Sequence, residues 1–152
     1  MPIDRREPDC WAGGVEALGH DGSPSFNCEW PDPVHWPAIH RLLAPAIAHG
    51  GDTDAIELID ELLAGRAQLW VKRTASVPIA AAVTTITGNT LHCQLLGGTG
   101  MHDWLDELIA TVAAKARPDG IMRFTMDGRP GWERMLTAKG WKKRRVVMEV
   151  DL

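Results

Sequence analysis

Hydrophobic and polar positions change period several times along the chain, and each change marks an element. Phe26, Cys28 and Trp30 alternate with less apolar neighbours, the period of a short strand, and Pro31-Asp32-Pro33 closes it with a turn. Pro37 suits the first turn of a helix in which Ile39, Leu42, Leu43 and Ile47 keep helical spacing, and Pro45 is expected to kink or end it. Beyond Gly50-Gly51, Thr53 is placed to cap a second helix, with Ile56, Ile59, Leu62 and Leu63 on one face and Gly65 just past its end. Residues 67–73 and 77–86 then read as strands, and Gly88-Asn89 is a hairpin signal leading into a further strand over 90–96. These three predict an antiparallel meander.

The most regular helical stretch follows. Trp104, Leu105, Leu108, Ile109, Val112, Ala113 and Ala116 form one continuous apolar face, with Asp103, Asp106 and Glu107 near its start and Lys115 and Arg117 near its end, the charge order that suits the helix dipole. Residues 121–126 predict another strand. Pro130 opens a short helix carrying Trp132, Met135 and Leu136 and stopped by Gly140, and residues 141–150 predict a long closing strand. The order β-α-α-β-β-β-α-β-α-β is that of an α/β (α+β) domain with a mixed, mostly antiparallel sheet flanked by helices. The helix crossing from the fourth strand to the fifth implies one parallel pair. Residues 1–25 carry no such period, and Gly13-Gly14, Gly19, Gly22 and Ser23-Pro24 break any face; they predict a flexible arm before a single domain over 26–152.

Composition narrows the classes. The chain has 152 residues, of which 45% are hydrophobic, enough for one domain with a core. A formal net charge of -4 gives no general attraction to nucleic acid or an anionic membrane. No apolar run approaches the roughly 18 residues of a membrane span, and the charged start MPIDRREPDCW lacks the apolar stretch of a leader, so a cytoplasmic protein is expected. Three cysteines without a C-x-x-C pair suggest reduced thiols, neither a disulfide framework nor a zinc ribbon. His35, His40 and His49 lack the i, i+4 spacing of helical metal ligands, so no metal is expected. The basic run at Lys139, Lys142, Lys143, Arg144 and Arg145 splits between two faces of a strand, which reads as a solvated edge and predicts no compact patch for a nucleic-acid partner. Trp11, in the arm, is hard to bury locally and suggests docking onto another molecule.

Candidate chemistry concentrates in LHCQLLGGTGMHDWLDEL, residues 91–108. A strand runs into Gly97, Gly98 and Gly100 and then into a helix. The glycines fit a tight turn. They equally fit an anion site, because glycine lets backbone approach a diphosphate and the first N–H groups of a helix point at it.

From about Phe26 to the C-terminus the chain resembles the GNAT superfamily, the Gcn5-related N-acetyltransferases. The resemblance rests on element order, on residues 94–105, which are similar to the family's acetyl-CoA pyrophosphate loop R/Q-x-x-G-x-G/A, and on RMLTAKGW at 134–141, similar to its last helix ending in Gly-Phe. It implies cofactor phosphates near Gly98, Thr99, Gly100 and Met101 within a loop that begins at Gly97, and backbone groups of Leu95 and Leu96 offered to the pantetheine arm. Two alignments stay open. With Gly98 and Gly100 as motif glycines the leading Arg or Gln falls on Leu95; with Gln94 leading, the last motif position is Thr99. No Arg or Lys lies between Thr74 and Ala114, so the loop would bind phosphate through its backbone.

The family usually supplies a base from its central strands and a tyrosine acid from its last helix. This chain has no tyrosine, and Leu136 falls at that position. His92 is the candidate base, with Cys93 on the opposite face of the same strand; Glu61, with Glu57, is a candidate to line the acceptor site. The implied activity is acyl-CoA-dependent transfer, from acetyl-CoA or a related cofactor, to the primary amine of a small molecule or protein. The alternative is a catalytically inactive GNAT-fold binding or structural protein, tied to a protein partner through residues 1–25. For that alternative the sequence is similar to GNAT-like proteins of bacteriophages, some of them internal virion proteins, which would place it in a phage particle.

Overall fold

Five strands pair in the order β1 (Asn27–Glu29), β2 (Ala67–Thr74), β3 (Val77–Thr87), β4 (Thr90–Gly98) and β5 (Arg123–Met126) in a computed structural model that describes residues 26–50, 53–127 and 130–152. The first three pairings are antiparallel and β4–β5 is parallel, as expected from the crossover helix α3 (Met101–Ala116). Helices α1 (Trp36–Gly50) and α2 (Ala55–Leu63) lie between β1 and β2, and α4 (Pro130–Ala138) follows β5. The arm expected over residues 1–25, with Trp11, lies outside the described residues.

The sheet separates two cores because β3 is buried on both faces. Ala80 and Ala82 face a cluster containing Trp104, Leu105, Leu108 and Val112 of α3 together with Leu136 of α4. Ala81 and Val83 face Ile39 and Leu43 of α1 and Leu58 and Leu62 of α2. Full burial of such a side chain contributes roughly 1.5–3 kcal/mol, so these two clusters hold the layers together. Inside the first cluster the Trp70 indole N–H donates to Thr84 Oγ1 at 2.9 Å, and that hydroxyl donates to Gln68 Oε1 at 2.9 Å. Each buried polar group therefore keeps a partner.

Small residues set the closeness of α1. A Cβ placed on Gly97 would lie 1.9 Å from the Leu42 carbonyl oxygen, so the helix backbone rests directly on the strand. On its other side, Gly98 has φ +139, and a Cβ there would lie 2.6 Å from the Ile79 carbonyl oxygen of β3. Two of the three glycines are thus fixed by packing within the fold.

Several expectations need correction. Helix α1 runs through Pro45 to Gly50 without ending there; proline removes only one N–H donor, and the contacts of Ile39 and Leu43 hold the helix on the sheet. Asp54, not Thr53, caps α2, its carboxylate accepting from the N–H groups of Ile56 and Glu57. The buried face of α2 is Leu58 and Leu62, while Ile56 is 74% exposed. The pattern allowed either stripe, and docking against β2 selected one. Cys28 is disulfide-bonded, contrary to the expectation of reduced thiols; Cys93 is free and buried.

The largest correction is at the end of the chain. No sixth strand forms among the described residues: residues 142–152 join no strand pairing there and are exposed throughout. Their alternation specifies strand propensity, but a strand needs an edge to pair with, and the pattern does not name one.

Gly97→Ala is expected to destabilise the protein by about 3 kcal/mol, because neither the α1 backbone nor the strand can yield the missing space. Urea denaturation checks it; an unchanged midpoint would mean that α1 lifts freely from the sheet.

Candidate functional site

The site is built by an unequal strand pair. Strand β5 stops at Met126 opposite Cys93, whereas β4 continues to Gly98, so the β4 edge over residues 94–98 has no strand beside it among the described residues. A bulge adds to the opening. Val83 opposes Leu95 and Thr84 opposes Cys93, which leaves Gln94 as the extra residue. Across it the side chains switch faces: Cys93 joins the α3 cluster and Leu95 the α1–α2 cluster. Gln94 Nε2 donates to Thr53 Oγ1 at 2.9 Å, tying the residue before the α2 cap to the bulge.

At the far end of this open edge lies the start of α3. Gly100 occupies the N-cap position with φ 72, and no side chain caps the helix. The Trp104 indole N–H donates to the Thr99 carbonyl at 2.8 Å, which pins the loop, and the Asp103 N–H donates to the Gly100 carbonyl at 2.8 Å. The N–H groups of Met101 and His102 are left at the positive end of the helix dipole without a capping side chain, an arrangement that accepts an anion.

Tertiary structure also changes the charge around that end. Lys72 of β2 pairs with Glu107, and Lys139 pairs with Asp106 at 2.9 Å. Two of the three acids near the start of α3 therefore carry a bound cation, and Asp103 is the one that remains to repel an anion. Neither lysine was legible as a neighbour, since they lie far from the glycines in sequence.

At the closed end of the opening, His92 faces Thr125 across the β4–β5 pair. Its Nδ1 lies 2.8 Å from Thr125 Oγ1 and its Nε2 lies 3.4 Å from Asp127 Oδ2. With the Nε2 proton turned to the carboxylate, Nδ1 accepts from the threonine hydroxyl, a tautomer assigned from these partners. Sequence reading missed Thr125 and Asp127; the signal was two polar residues ending a strand that pairs beside His92. Glu61 is not brought to this group: it pairs with Arg66 at 3.0 Å, beyond the end of α2. Glu57 is exposed on α2. Leu95 and Leu96 lie on the open edge, and Leu136 is buried in the core.

Cys93 is no nucleophile. It is buried, its Sγ donates to the Leu95 carbonyl at 3.4 Å, and burial pushes its pKa up to about 12. Among the described residues no group of three His, Cys, Asp or Glu side chains is arranged to hold a metal ion, and no helix is long and apolar enough to cross a membrane.

No protein-family model and no curated protein matches the chain. Solved structures do share its fold. The aminoglycoside N-acetyltransferase AAC(6')-Iy in complex with CoA aligns with a TM-score of 0.61 at 14% identity, covering 84% of this chain and 99% of that one. An aminoglycoside acetyltransferase from an uncultured soil metagenomic sample, in complex with sisomicin, aligns with a TM-score of 0.61 at 12% identity over 84% of this chain and 96% of the other. A Trypanosoma brucei acetyltransferase gives a TM-score of 0.58 at 12% identity over 84% of this chain and 100% of its own. The fold of this chain is therefore that of acetyltransferases with the GNAT architecture.

Cys93 is expected to resist iodoacetamide at pH 8 in the folded protein and to react on unfolding in urea, read by peptide mass spectrometry. Rapid labelling of the folded protein would overturn the burial argument. Because the folded thiol ionises near 12 and an unfolded one near 9, the unfolded state releases the proton first, and this group's contribution to stability falls as pH rises from 9 towards 12.

Proposed function

We propose that the protein is an acyl-CoA-dependent N-acyltransferase that transfers an acetyl group to a primary amine. The observation that carries this reading is the open β4 edge over residues 94–98 leading into the uncapped start of α3. An open strand edge presents N–H and C=O groups in alternation and suits an extended amide-bearing arm; a helix N-terminus suits a diphosphate. At the rise of a strand, the edge from Gln94 to Gly98 spans on the order of 15 Å, so a ligand bound at both ends is long and extended. Backbone groups of Leu95, Leu96 and Gly97 would hold the pantetheine arm, and those of Gly98, Thr99, Gly100 and Met101 the phosphates. The acetyltransferases that share the fold, one of them in complex with CoA, support the same reading.

When bound, acyl-CoA supplies an activated thioester. The rest falls to the chain's own residues. Holding thioester and amine together lowers the barrier by removing lost freedom of motion. His92 is the base: a proton leaving the amine passes to the Thr125 hydroxyl as that hydroxyl gives its own to Nδ1, while Asp127 holds Nε2. The exposed carboxylate of Asp127 beside the opening suits a cationic small amine as acceptor.

A second reading has its own observation. The position implied for a tyrosine acid is Leu136, which is buried in the core and offers no proton. In that reading the cleft binds acyl-CoA without turnover.

Calorimetric titration with acetyl-CoA tests the site. Gly100→Asp is expected to weaken binding at least about tenfold, because its carboxylate would occupy the anion position, and to lower the melting temperature, because φ +72 strains a side chain there and its Cβ would lie 3.3 Å from Asp103 Oδ2. Asp103→Asn is expected to tighten binding a few-fold by removing a like charge. Absence of heat at millimolar acetyl-CoA overturns the cofactor assignment. In an assay of thiol release with small amines, His92→Ala should lower kcat about 100-fold with cofactor binding unchanged; saturable binding with no turnover by the native protein selects the second reading.

A further inference from the structure

We propose that the outer groove of α3 is a second binding site, for an aromatic monocarboxylate whose acid group is held by Arg117 and whose ring lies against Trp141. The groove has a volume of about 410 Å³. Small-molecule sites occupy roughly 300–1,000 Å³, so it has room for one such ligand. It lies apart from the open β4 edge, and no residue of the acyl-CoA cleft lines it.

The spacing of small residues gives the groove its shape. Asp106, Ala110, Ala113, Ala114 and Arg117 recur at helical intervals and so share one face of α3. Alanine carries no atom beyond Cβ, and the middle of this face is therefore a low apolar shelf. The other side comes from the segment that leaves α4, with Lys139 and the half-buried Trp141. Phe124 of β5 packs edge-on against the Trp141 ring, with centroids 5.4 Å apart, and holds that wall in place. An indole ring and a shelf of methyl groups bound a slot that fits another flat ring.

The charges around the slot select the ligand's own charge. Lys139 is already held by Asp106 at 2.9 Å. Arg117 is exposed, and its guanidinium makes no ion pair or side-chain hydrogen bond among the described residues. Two cations less one acid leave one positive charge beside an apolar surface. A guanidinium presents two parallel N–H donors, the geometry that a carboxylate accepts. One carboxylate therefore completes the charge balance, while the ring it carries leaves water against Trp141 and the alanines.

A titration of the full chain with 1-naphthoate, followed by backbone amide NMR shifts, tests the site. Saturable shifts at residues 109–117 and 139–141 are expected, with a dissociation constant of roughly 0.1–1 mM, the affinity that a ligand of this size usually reaches. The neutral 1-naphthamide should bind at least about tenfold more weakly, and Arg117→Gln should weaken 1-naphthoate by a similar factor. Ala114→Leu should abolish binding by filling the slot, with the melting temperature kept, because residue 114 is exposed and leucine favours a helix. Both positions lie outside the acyl-CoA cleft, so the outcome is independent of whether that cofactor binds. No saturable shift up to about 10 mM, as when residues 142–152 or a second copy cover the groove, overturns the proposal. Shifts centred on residues 98–102, equal affinity for the amide, or binding indifferent to Arg117→Gln or Ala114→Leu overturn it as well.

Discussion

The contact between the Leu42 carbonyl of α1 and the bare Cα of Gly97 is the constraint on which the rest of the molecule depends. It brings a helix backbone onto the sheet at a distance that no side chain on Gly97 would permit. With α1 held there, Ile39 and Leu43 reach Ala81 and Val83, and one face of β3 becomes core. On the same strand, Gln94 at the bulge meets Thr53 ahead of α2. A glycine that looked like part of a phosphate loop is first a packing residue.

The cleft follows from two irregularities in an otherwise regular sheet. A bulge at Gln94 turns the end of β4 over, and β5 ends before β4 does. Together they leave backbone unpaired where a sheet would ordinarily cover it, which is costly unless water or a ligand takes the hydrogen bonds. The two ends of the opening differ in character. The α3 end is positive by virtue of the helix dipole and of the lysines that neutralise Glu107 and Asp106. The His92 end holds a ring between a hydroxyl and a carboxylate.

Much of the fold was legible because its signals are local. The meander, the crossover helix with its Trp104, Leu105, Leu108 and Val112 face, and the parallel β4–β5 pair all follow from hydrophobic period and from the length of the connections. Where two faces were both apolar, as on α2, local pattern could not choose, and burial of Leu58 over Ile56 came from docking. Thr53 was a reasonable cap by residue type, yet Asp54 took that role and freed the threonine hydroxyl for Gln94.

Of the candidate site, the sequence by itself determined the glycine loop, its place between a strand and a helix, and His92 as the polar residue on that strand. It also determined the absence of any tyrosine. Tertiary structure decided that Gly97 and Gly98 are fixed by packing, which acids carry a lysine, that Glu61 pairs with Arg66 away from His92, and that residues 142–152 add no strand to the sheet among the described residues. The division has one physical reason. Period, caps and turns depend on neighbours within a few residues, whereas close approach, ion pairing and strand partnership depend on groups that only the folded chain brings together.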